Sequence, residues 1–466
     1  MAYQATIDIQ DPVFSTIDGH AATIIRPHLS YEYEWWQKTQ FRKVRRVNVA
    51  STMFKAEGGR FAFFTGFLDR VCRVLNEQGI GVLITADINT AKIPYSQIAL
   101  DAYIARLKEK YGFDYRPDQY RITEAALADQ RGVMLAPTGT GKTTLGGALI
   151  SAFEKSRILW LCHTKDLMDQ AYESFRDIGI STGRLGGGMC ELHNRVLVAT
   201  RQSMIDRAES LRTKFEVLVI DEVHHVSSFE GEYATILRTM ESPVRFGLTA
   251  TLPEKPAALL AVEGFVGPLI DELSVEEAAD LGIIAIPRIR ILRLPKIHAI
   301  SELKKYNDVY EQAIVHRRDR NQLIIDKTKM HNALNESVLT FVTRTEHGQI
   351  LERMSEEQGL KTIFLYGKSE RETRLEMKKA LFEKNIHSII CSVIWKEGIN
   401  IPSLDAIINA SGGKSDTAVL QTIGRGLRVT DEKKVIWFYD FFDPSHRYLV
   451  EHFGYRISLY SEMNWL

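Results

Sequence analysis

Residues 136–144 read APTGTGKTT and follow an apolar, strand-like run. A buried strand, a glycine-rich turn and a helix, in that order, are typical of a phosphate-binding loop. Gly139 and Gly141 would let backbone N–H groups turn towards a phosphate, and the helix N-terminus adds partial positive charge. Lys142 would then reach the β- and γ-phosphates of a nucleotide, and Thr143 would hold Mg²⁺. The alternative is an ordinary strand-to-helix turn.

The composition predicts a soluble globular protein of several domains. The chain has 466 residues, and at roughly 150 residues per domain this predicts about three domains. The 59 basic residues balance the 59 acidic ones, so a polyanion would have to meet a local basic patch. The four cysteines form no CxxC pair, which favours a reducing compartment without structural zinc. We see no signal peptide or long apolar stretch, and therefore expect a soluble, cytoplasmic protein with no membrane partner.

Residues 1–92 predict a small α/β accessory domain, with a strand at 61–64, a helix at 66–78 and a strand at 80–85. Within this region a cluster of basic residues follows the aromatic residues Tyr31, Tyr33, Trp35 and Trp36. The basic residues are Lys38, Arg42, Lys43, Arg45 and Arg46. Basic residues among aromatic ones are typical of nucleic-acid contacts. The alternative is a solvated strand face.

The rest of the chain predicts two α/β domains in tandem. Short apolar runs alternate with amphipathic stretches; they lie at 133–135, 158–162, 196–199, 217–220 and 246–248, and again at 338–342, 363–366, 389–393, 406–409 and 435–438. Strands that are apolar on both faces and alternate with helices favour parallel sheets covered on both sides. We predict an ATP-binding domain at 93–275 and a second domain at 276–466, which begins with one long polar helix near 301–334.

Residues 217–224, VLVIDEVH, are an apolar strand that ends in two carboxylates. Doubly wound sheets bind ligands at this carboxyl edge. Asp221 would hold the Mg²⁺ of a nucleotide, and Glu222 would orient and deprotonate the attacking water. His224 is predicted to link the nucleotide site to the rest of the protein through a hydrogen bond. The tripeptide at 249–251, TAT, ends the next strand and could report the state of the phosphate.

Residues 421–428, QTIGRGLR, place two arginines three positions apart on one helix face. If that face closes on the nucleotide, Arg425 would act as an arginine finger, an effect worth about 10³–10⁵ in rate. Arg428 would contact the phosphates or the carboxylates. The alternative is a solvated basic helix.

The order of these motifs resembles that of superfamily 2 helicases over about residues 112–445. The clearest matches are the glutamine motif and motifs I, II, III and VI, at residues 116–119, 136–143, 221–224, 249–251 and 421–428. In this family alanine commonly stands at the position of Ala136, where the strict phosphate-loop pattern has glycine. Motif Ia, the TxxS-like element, motif IV and motif V resemble residues 161–167, 200–203, 341–345 and 393–402.

The resemblance implies two RecA-like domains with ATP between them and a nucleic-acid strand across their top. For catalysis it implies Lys142, Asp221, Glu222, Gln421, Arg425 and Arg428. For ATP it implies Arg116, Gln119, Thr138, Gly139, Thr140, Gly141, Lys142, Thr143, Thr144 and Gly398, with Gln119 reading the adenine. Mg²⁺ would be held by Thr143 and Asp221, and coupling would use His224, Thr249 and Thr251. Nucleic acid would contact Thr164, Lys165, Arg201, Gln202, Ser203, Thr343 and Arg344. Such phosphate contacts predict sequence-tolerant, salt-sensitive binding.

The variants DEVH and QTIGRGLR point away from DEAD-box RNA helicases. The layout, a small N-terminal domain before an uninterrupted motor, resembles phage UvsW-type DNA helicases. That resemblance implies an ATP-dependent DNA helicase or translocase that remodels branched DNA by fork regression, Holliday-junction branch migration and R-loop dissociation. Two alternatives stay open: an ATPase that nucleic acid stimulates but that does not separate strands, and an RNA helicase.

Overall fold

The computed structural model describes residues 3–38, 43–86, 92–137, 139–283, 287–367, 369, 371–392, 404–413 and 435–462. The chain divides into two compact units. One comprises residues 1–136 and 141–273, and the other comprises residues 137–140 and 274–466. The predicted boundary between residues 92 and 93 falls inside the first unit and stays a prediction.

The N-terminal region forms a mixed sheet and a separate hairpin. Its strands are β1 (Gln4–Ile9), β2 (Phe14–Ile17), β3 (Ser30–Lys38), β4 (Lys43–Ser51), β5 (Phe54–Lys55), β6 (Phe61–Phe64) and β7 (Gly81–Ala86), and its helices are α1 (Gly19–Ile25) and α2 (Leu68–Glu77). The sheet has the order β5-β6-β2-β1-β7, whereas β3 and β4 pair only with each other. The predicted strand at 61–64 is confirmed, and the predicted helix and second strand are confirmed with shifted ends.

The hairpin β3–β4 contains the aromatic and basic cluster that the sequence singled out. Its antiparallel register places Tyr33 opposite Asn48 and Trp35 opposite Arg46. Tyr33 is 42% exposed, and Val47 and Val49 are 53% and 68% exposed. Polar and apolar side chains are therefore both accessible on this hairpin.

The first large sheet has eight strands, seven of them parallel. They are β8 (Arg131–Leu135), β9 (Ile158–Cys162), β10 (Thr182–Gly186), β11 (Met189–Cys190), β12 (Val196–Thr200), β13 (Val217–Asp221), β14 (Val244–Thr249) and β15 (Leu269–Glu272), in the order β11-β10-β12-β9-β13-β14-β8-β15. The helices are α3 (Gln97–Tyr111), α4 (Pro117–Asp129), α5 (Lys142–Ala152), α6 (Lys165–Asp177), α7 (Arg201–Ile205), α8 (Ala208–Leu211), α9 (Glu232–Thr239) and α10 (Pro256–Phe265). Strands β9 and β12 are buried at every residue, as expected for a sheet covered on both faces.

The N-terminal sheet shares its hydrophobic core with this large sheet. Phe64 packs edge-to-face on Phe265 of α10, with 4.8 Å between the ring centroids. A Cβ atom on Gly66 would lie 2.2 Å from the carbonyl oxygen of Glu263, so the two backbones approach as closely as glycine permits. Arg70 Nε also donates to Glu263 Oε1 at 2.8 Å. The N-terminal region and the large sheet are therefore held together by an apolar core and an ion pair.

The second unit contains a six-stranded, wholly parallel sheet. Its strands are β16 (Pro287–Arg293), β17 (Ser337–Val342), β18 (Thr362–Leu365), β19 (Ser388–Ser392), β20 (Leu404–Asn409) and β21 (Ile436–Phe442), in the order β16-β21-β20-β17-β19-β18. Its helices are α11 (Val275–Asp280), α12 (His298–Ser301), α13 (Tyr306–Tyr310), α14 (Arg318–Ala333), α15 (Thr345–Glu357), α16 (Arg371–Phe382) and α17 (Arg447–Glu462). The two predicted parallel sheets are thus confirmed.

The long helix predicted near residues 301–334 is confirmed only in its second half, as α14, and its first half is wrong. The segment contains α12, α13, a π-helical turn at Glu311–Val315 and α14, with an extended residue, Arg317, before α14. The guanidinium of Arg317 is buried and donates to Asp443 at 2.5 Å and to the carbonyl oxygen of Pro295 at 2.6 Å. The break in the helix lets this charged group reach its partners, and composition alone does not reveal that requirement.

Candidate functional site

Three of the predicted motifs meet at the carboxyl edge of the eight-stranded sheet. Strands β13, β14 and β8 are neighbours, with Asp221 paired to Leu248 and Thr249 paired to Leu135. The backbone N–H of Ala136, the first residue of the phosphate loop, donates to the carbonyl oxygen of Thr249 at 2.9 Å. Parallel pairing therefore places the loop, the carboxylates and the threonines side by side.

The phosphate loop has the backbone that its glycines predict. Gly139 and Gly141 have φ angles of 91° and 93°, in the left-handed region that favours glycine. Lys142 begins α5, and its Nζ atom lies 3.3 Å from the carbonyl oxygen of Ala136. Thr143 and Thr144 lie in the first turn of that helix. Backbone N–H groups at a helix N-terminus, with a lysine beside them, fit the phosphates of a nucleotide.

The glutamine motif lies directly against this loop. Gln119, on α4, is 1% exposed, and its Oε1 accepts from the backbone N–H of Arg116 at 3.1 Å. The Arg116 guanidinium makes two hydrogen bonds to Asp118, at 3.0 and 2.9 Å. A Cβ atom on Gly141 would lie 2.9 Å from Gln119 Nε2. The missing side chain of Gly141 therefore makes room for the glutamine amide.

The predicted catalytic carboxylates continue from strand β13. Asp221 is its last residue. Burial of the neighbouring Cys162 thiol, and to a smaller extent the negative charge of Asp221, raise the pKa of that thiol well above its usual range. Glu222 is 7% exposed and takes a left-handed conformation, with φ 52° and ψ 55°. A non-glycine residue in that region carries backbone strain, which is common where a side chain must be aimed.

His224 joins this carboxylate to the threonines at the end of β14. Its Nδ1 atom lies 2.9 Å from Thr249 Oγ1 and 3.4 Å from Glu222 Oε2. The single hydroxyl proton of Thr249 is donated to the carbonyl oxygen of Thr251 at 2.8 Å. This arrangement favours the tautomer with a proton on Nδ1 of His224, with Thr249 as the acceptor. The structure thus brings together the three residues that the sequence assigned to coupling.

The nucleic-acid residues predicted in motif Ia and the TxxS-like element begin helices at the same edge of the sheet. Thr164 caps α6, its hydroxyl accepting from the backbone N–H of Leu167 at 3.4 Å, and Lys165 is exposed beside it. Thr200 caps α7, which contains Gln202 and Ser203. Arg201, also on α7, forms an ion pair with Glu232. Arg201 therefore binds a carboxylate within the protein, a contact that the sequence did not predict.

In the second unit, Thr343 and Arg344 follow the predicted strand β17. The Arg344 guanidinium lies 3.4 Å from Asn307 Oδ1 and 5.4 Å from the ring centroid of Tyr310. Its Nη1 atom is 3.8 Å from Glu311 Oε1. This arginine is therefore positioned by side chains of the preceding helical segment.

A cluster of histidines was not predicted as a unit. The His163 and His225 rings stack with centroids 3.7 Å apart and an interplanar angle of 10°, and His224 lies 4.3 Å from His225. The sequence did contain a signal, because His163 follows β9 and the histidine pair follows β13, and these strands are neighbours. Only a correct prediction of the strand order would have placed these histidines next to one another.

Two family models match the chain. One, described as "Type III restriction enzyme, res subunit", matches residues 92–254, and "Helicase conserved C-terminal domain" matches residues 319–430. Together they match more than half of the chain and include the phosphate loop, the carboxylate pair and the 421–428 motif in the predicted order. The chain is a superfamily 2 helicase.

Curated relatives and solved structures resemble this helicase over most of its length. The DNA 3'-5' translocase XPB2 of Sulfurisphaera tokodaii is 26% identical over 369 residues, covering 71% of this chain and 82% of that one. The ATP-dependent DNA helicase uvsW of Enterobacteria phage T4 is 22% identical over 400 residues, covering 82% and 79%. The structure of S. cerevisiae Dbp5 bound to RNA and ADP BeF3 aligns with a TM-score of 0.57 and 16% identity over 78% of this chain and 91% of that one. This structural likeness shows the fold, two RecA-like domains.

The two large sheets of the helicase are therefore its RecA-like domains, and the first contains the phosphate loop. Membership of the family implies that the helicase uses ATP and binds nucleic acid. None of the described helices is both long enough and apolar enough to cross a membrane.

Several predicted residues of the helicase are not described by the structure. Thr138, Arg42, Gly398, Gln421, Arg425 and Arg428 lie outside the described residues, and for Lys38, Lys43 and Arg45 the structure describes the backbone alone. Arg46 is described and is exposed. The roles assigned to the undescribed residues stay predictions.

Proposed function

We propose that this helicase uses ATP to unwind or remodel branched DNA such as forks and Holliday junctions. The observation that carries the proposal is the similarity to the phage T4 protein named an ATP-dependent DNA helicase, which covers 82% of this chain and 79% of that one. A second relative has the name of a DNA translocase. Both names specify DNA, which supports DNA as the substrate of this chain, and the RNA arm of the test below addresses the relatives that are named RNA helicases.

The proposed nucleotide site uses residues at the edge of the first large sheet. Lys142 and the backbone N–H groups of the loop would bind the phosphates, and Gln119 would read the adenine. The left-handed glycines and the contact between Gly141 and Gln119 support this arrangement. Thr143 and Asp221 would hold Mg²⁺, which neutralises charge on the transferred phosphoryl group.

The proposed hydrolysis step uses Glu222 as the base that orients and deprotonates water. Its left-handed backbone and its distance of 3.4 Å to His224 Nδ1 support a fixed direction for the carboxylate. His224 and Thr249 would then sense the phosphate and pass its state to the rest of the domain. We further propose that Arg425 is the arginine finger, with Gln421 and Arg428 beside it, so that hydrolysis would depend on the second domain.

The proposed element for branch recognition is the hairpin β3–β4. Tyr33 and Arg46 are exposed there, and Asn48 Nδ2 donates to the Tyr33 hydroxyl at 3.4 Å. Aromatic rings can stack on bases, and arginine can contact phosphates. A second nucleic-acid surface, in addition to the phosphate-contacting loops of the motor, would favour substrates with more than one arm.

The test is a strand-displacement assay on three substrates of matched length: a forked DNA, a four-way DNA junction and an RNA duplex. All three are compared at one fixed salt concentration, since phosphate contacts make affinity depend steeply on salt. We expect ATP-dependent separation of the two DNA substrates and little separation of the RNA duplex. The matched control is Lys142→Ala, which should separate none of them.

Two outcomes would contradict the proposal. ATP hydrolysis stimulated by DNA without separation of any DNA substrate would indicate a translocating or stripping ATPase. Preferential separation of the RNA duplex would indicate an RNA helicase, the other alternative that the sequence leaves open.

A further inference from the structure

The stacked histidines connect two loops with different predicted tasks. His163 directly follows β9 and precedes Thr164 and Lys165, the predicted phosphate contacts of motif Ia. His225 ends the short helical turn Val223–His225 that begins after Glu222. The centroid distance of 3.7 Å and the angle of 10° place the two rings in full face-to-face contact. A movement of one loop must therefore be accommodated by the other.

His225 is tied in turn to the predicted catalytic carboxylate. Its backbone N–H donates to the carbonyl oxygen of Glu222 at 3.0 Å. Its ring lies 4.3 Å from that of His224, whose Nδ1 is 3.4 Å from Glu222 Oε2. Glu222 takes a strained, left-handed conformation that persists only where its surroundings hold it. Contacts to this turn thus help to decide where the carboxylate points.

A second set of contacts connects the predicted nucleic-acid loops to helix α9. Tyr233, near the start of α9, lies parallel to His163 at 6.1 Å and 7°. The preceding residue, Glu232, forms the ion pair with Arg201 of the TxxS-like element. Both predicted nucleic-acid loops of the first domain therefore contact elements that follow the catalytic carboxylates in the chain.

We propose that His163 is a positioning residue that transmits nucleic-acid binding at the Thr164–Lys165 loop to Glu222 through the ring of His225. A nucleic-acid backbone on that loop would fix His163, and the stacked His225 would then hold the turn in the conformation that aims Glu222 at water. Without nucleic acid His163 would not be fixed in this way, and hydrolysis would be slower. This inference rests on the proposed function, because it needs a nucleic acid that stimulates hydrolysis.

The test compares ATP hydrolysis with and without nucleic acid in the full-length chain. In His163→Ala we expect unchanged basal hydrolysis, whereas stimulation at saturating nucleic acid should fall by at least about fivefold, which corresponds to about 1 kcal/mol in activation free energy. His163→Phe keeps a flat ring and should restore stimulation, and His163→Asn removes the ring and should behave as alanine does. His193, exposed and on the same domain, provides the control His193→Ala, which should be stimulated normally.

A double-mutant cycle tests whether His163 and His225 act through one shared contact. His225→Ala should cause the same loss as His163→Ala, and the two substitutions together should cause no more than either alone, since both remove one contact. Thermal melting of each variant identifies any that unfold, and His163→Phe then supplies the decisive comparison with wild type.

Three results would overturn the proposal. They are normal stimulation of His163→Ala, an equal loss in His163→Phe, and additive losses in the double variant. Stimulation is measured with DNA and with RNA, so that stimulation by RNA alone would refute the proposed substrate while leaving the coupling testable. A wild-type chain that neither polymer stimulates would refute both proposals.

Discussion

Replacing Gly141 by alanine tests the contact between the phosphate loop and the glutamine motif. Gly141 has φ +93°, and a Cβ atom there would lie 2.9 Å from Nε2 of Gln119, which is 1% exposed. An L-residue in the left-handed region costs about 1–2 kcal/mol, and forcing an extra methyl group into a packed site costs about 1–3 kcal/mol. We therefore expect Gly141→Ala to lower the free energy of unfolding by about 2–5 kcal/mol.

The two contributions can be separated by urea denaturation of four proteins without nucleotide: wild type, Gly141→Ala, Gln119→Ala and the double variant. When Gln119 is alanine, the steric conflict disappears and only the backbone cost of about 1–2 kcal/mol should remain. The control is Gly454→Ala, because, apart from its chain neighbours and its own helix backbone, none of the described residues has an atom within 4 Å of that Cβ position. Gly454 lies exposed within α17, where alanine should add stability of up to about 1 kcal/mol.

An equal cost of Gly141→Ala with and without the Gln119 side chain would refute a steric conflict between the added Cβ atom and the Gln119 amide. That result would mean that the loop moves away from the amide at no cost. The absence of a side chain at Gly141 would then not be what makes room for the Gln119 amide.

Four further predictions address other residues. Lys142→Ala should abolish turnover in a steady-state ATPase assay by removing a phosphate contact. Retained turnover would contradict the assignment of residues 136–144 as a phosphate loop. Arg425→Ala should spare nucleotide affinity but lower kcat by about 10³–10⁵; weak binding with normal turnover at saturation would contradict a finger role. Arg46→Ala should weaken binding to a four-way junction and reduce the salt dependence by about one phosphate contact, whereas the control Lys55→Ala, at an exposed position on β5, should not. Burial, followed by the charges of Arg320 and His316, lowers the pKa of His347 well below its ordinary value. The unfolded chain then takes up a proton that the folded chain does not. Stability should therefore be full above about pH 6.5 and fall by about 1.4 kcal/mol per pH unit below it, and His347→Gln should flatten this slope in urea titrations.

The sheets were predictable because buried parallel strands need continuous apolar runs. Strand β12, for example, is VLVAT and is buried at every residue, so pattern and structure agree. Strand β10 escaped prediction because Gly183 and Gly186 interrupt its apolar pattern. A Cβ atom on Gly183 would lie 2.2 Å from the carbonyl oxygen of Glu191. Glycine is therefore required at this position by a tertiary contact, and the apolar pattern of one strand does not reveal such a contact.

The site was predictable to the extent that its chemistry lies in contiguous motifs. The glycines of the loop, the carboxylates after β13 and the threonines after β14 each follow a recognisable strand, and parallel pairing then places them together. The contact of Gly141 with Gln119 and the stack of His163 on His225 depend on the order of strands and on side-chain packing. Neither follows from any one segment of the sequence.

The shared core of the N-terminal region also determines which experiment can test its role. Deleting residues 1–92 would take Phe64 and Phe67 out of the hydrophobic core that they share with Phe229 and Phe265. In the intact chain Phe229 and Phe265 are 7% and 0% exposed. Burial of a phenylalanine is worth about 1.5–3 kcal/mol, so uncovering two of them costs an appreciable part of a typical total of about 5–15 kcal/mol. A deletion would therefore confound loss of DNA binding with loss of folding.

A substitution on the hairpin avoids this problem because it leaves that core intact. Tyr31, at the base of β3, stacks on Phe229 with centroids 5.8 Å apart, so the hairpin is anchored to the segment that follows the predicted catalytic carboxylates. Arg46 lies exposed on β4, opposite Trp35 in the register. DNA bound at Arg46 would therefore act on the same compact unit that contains Lys142 and Glu222. If the hairpin serves only to hold a DNA arm, Arg46→Ala should change junction affinity and leave the stimulated rate at saturating DNA unchanged.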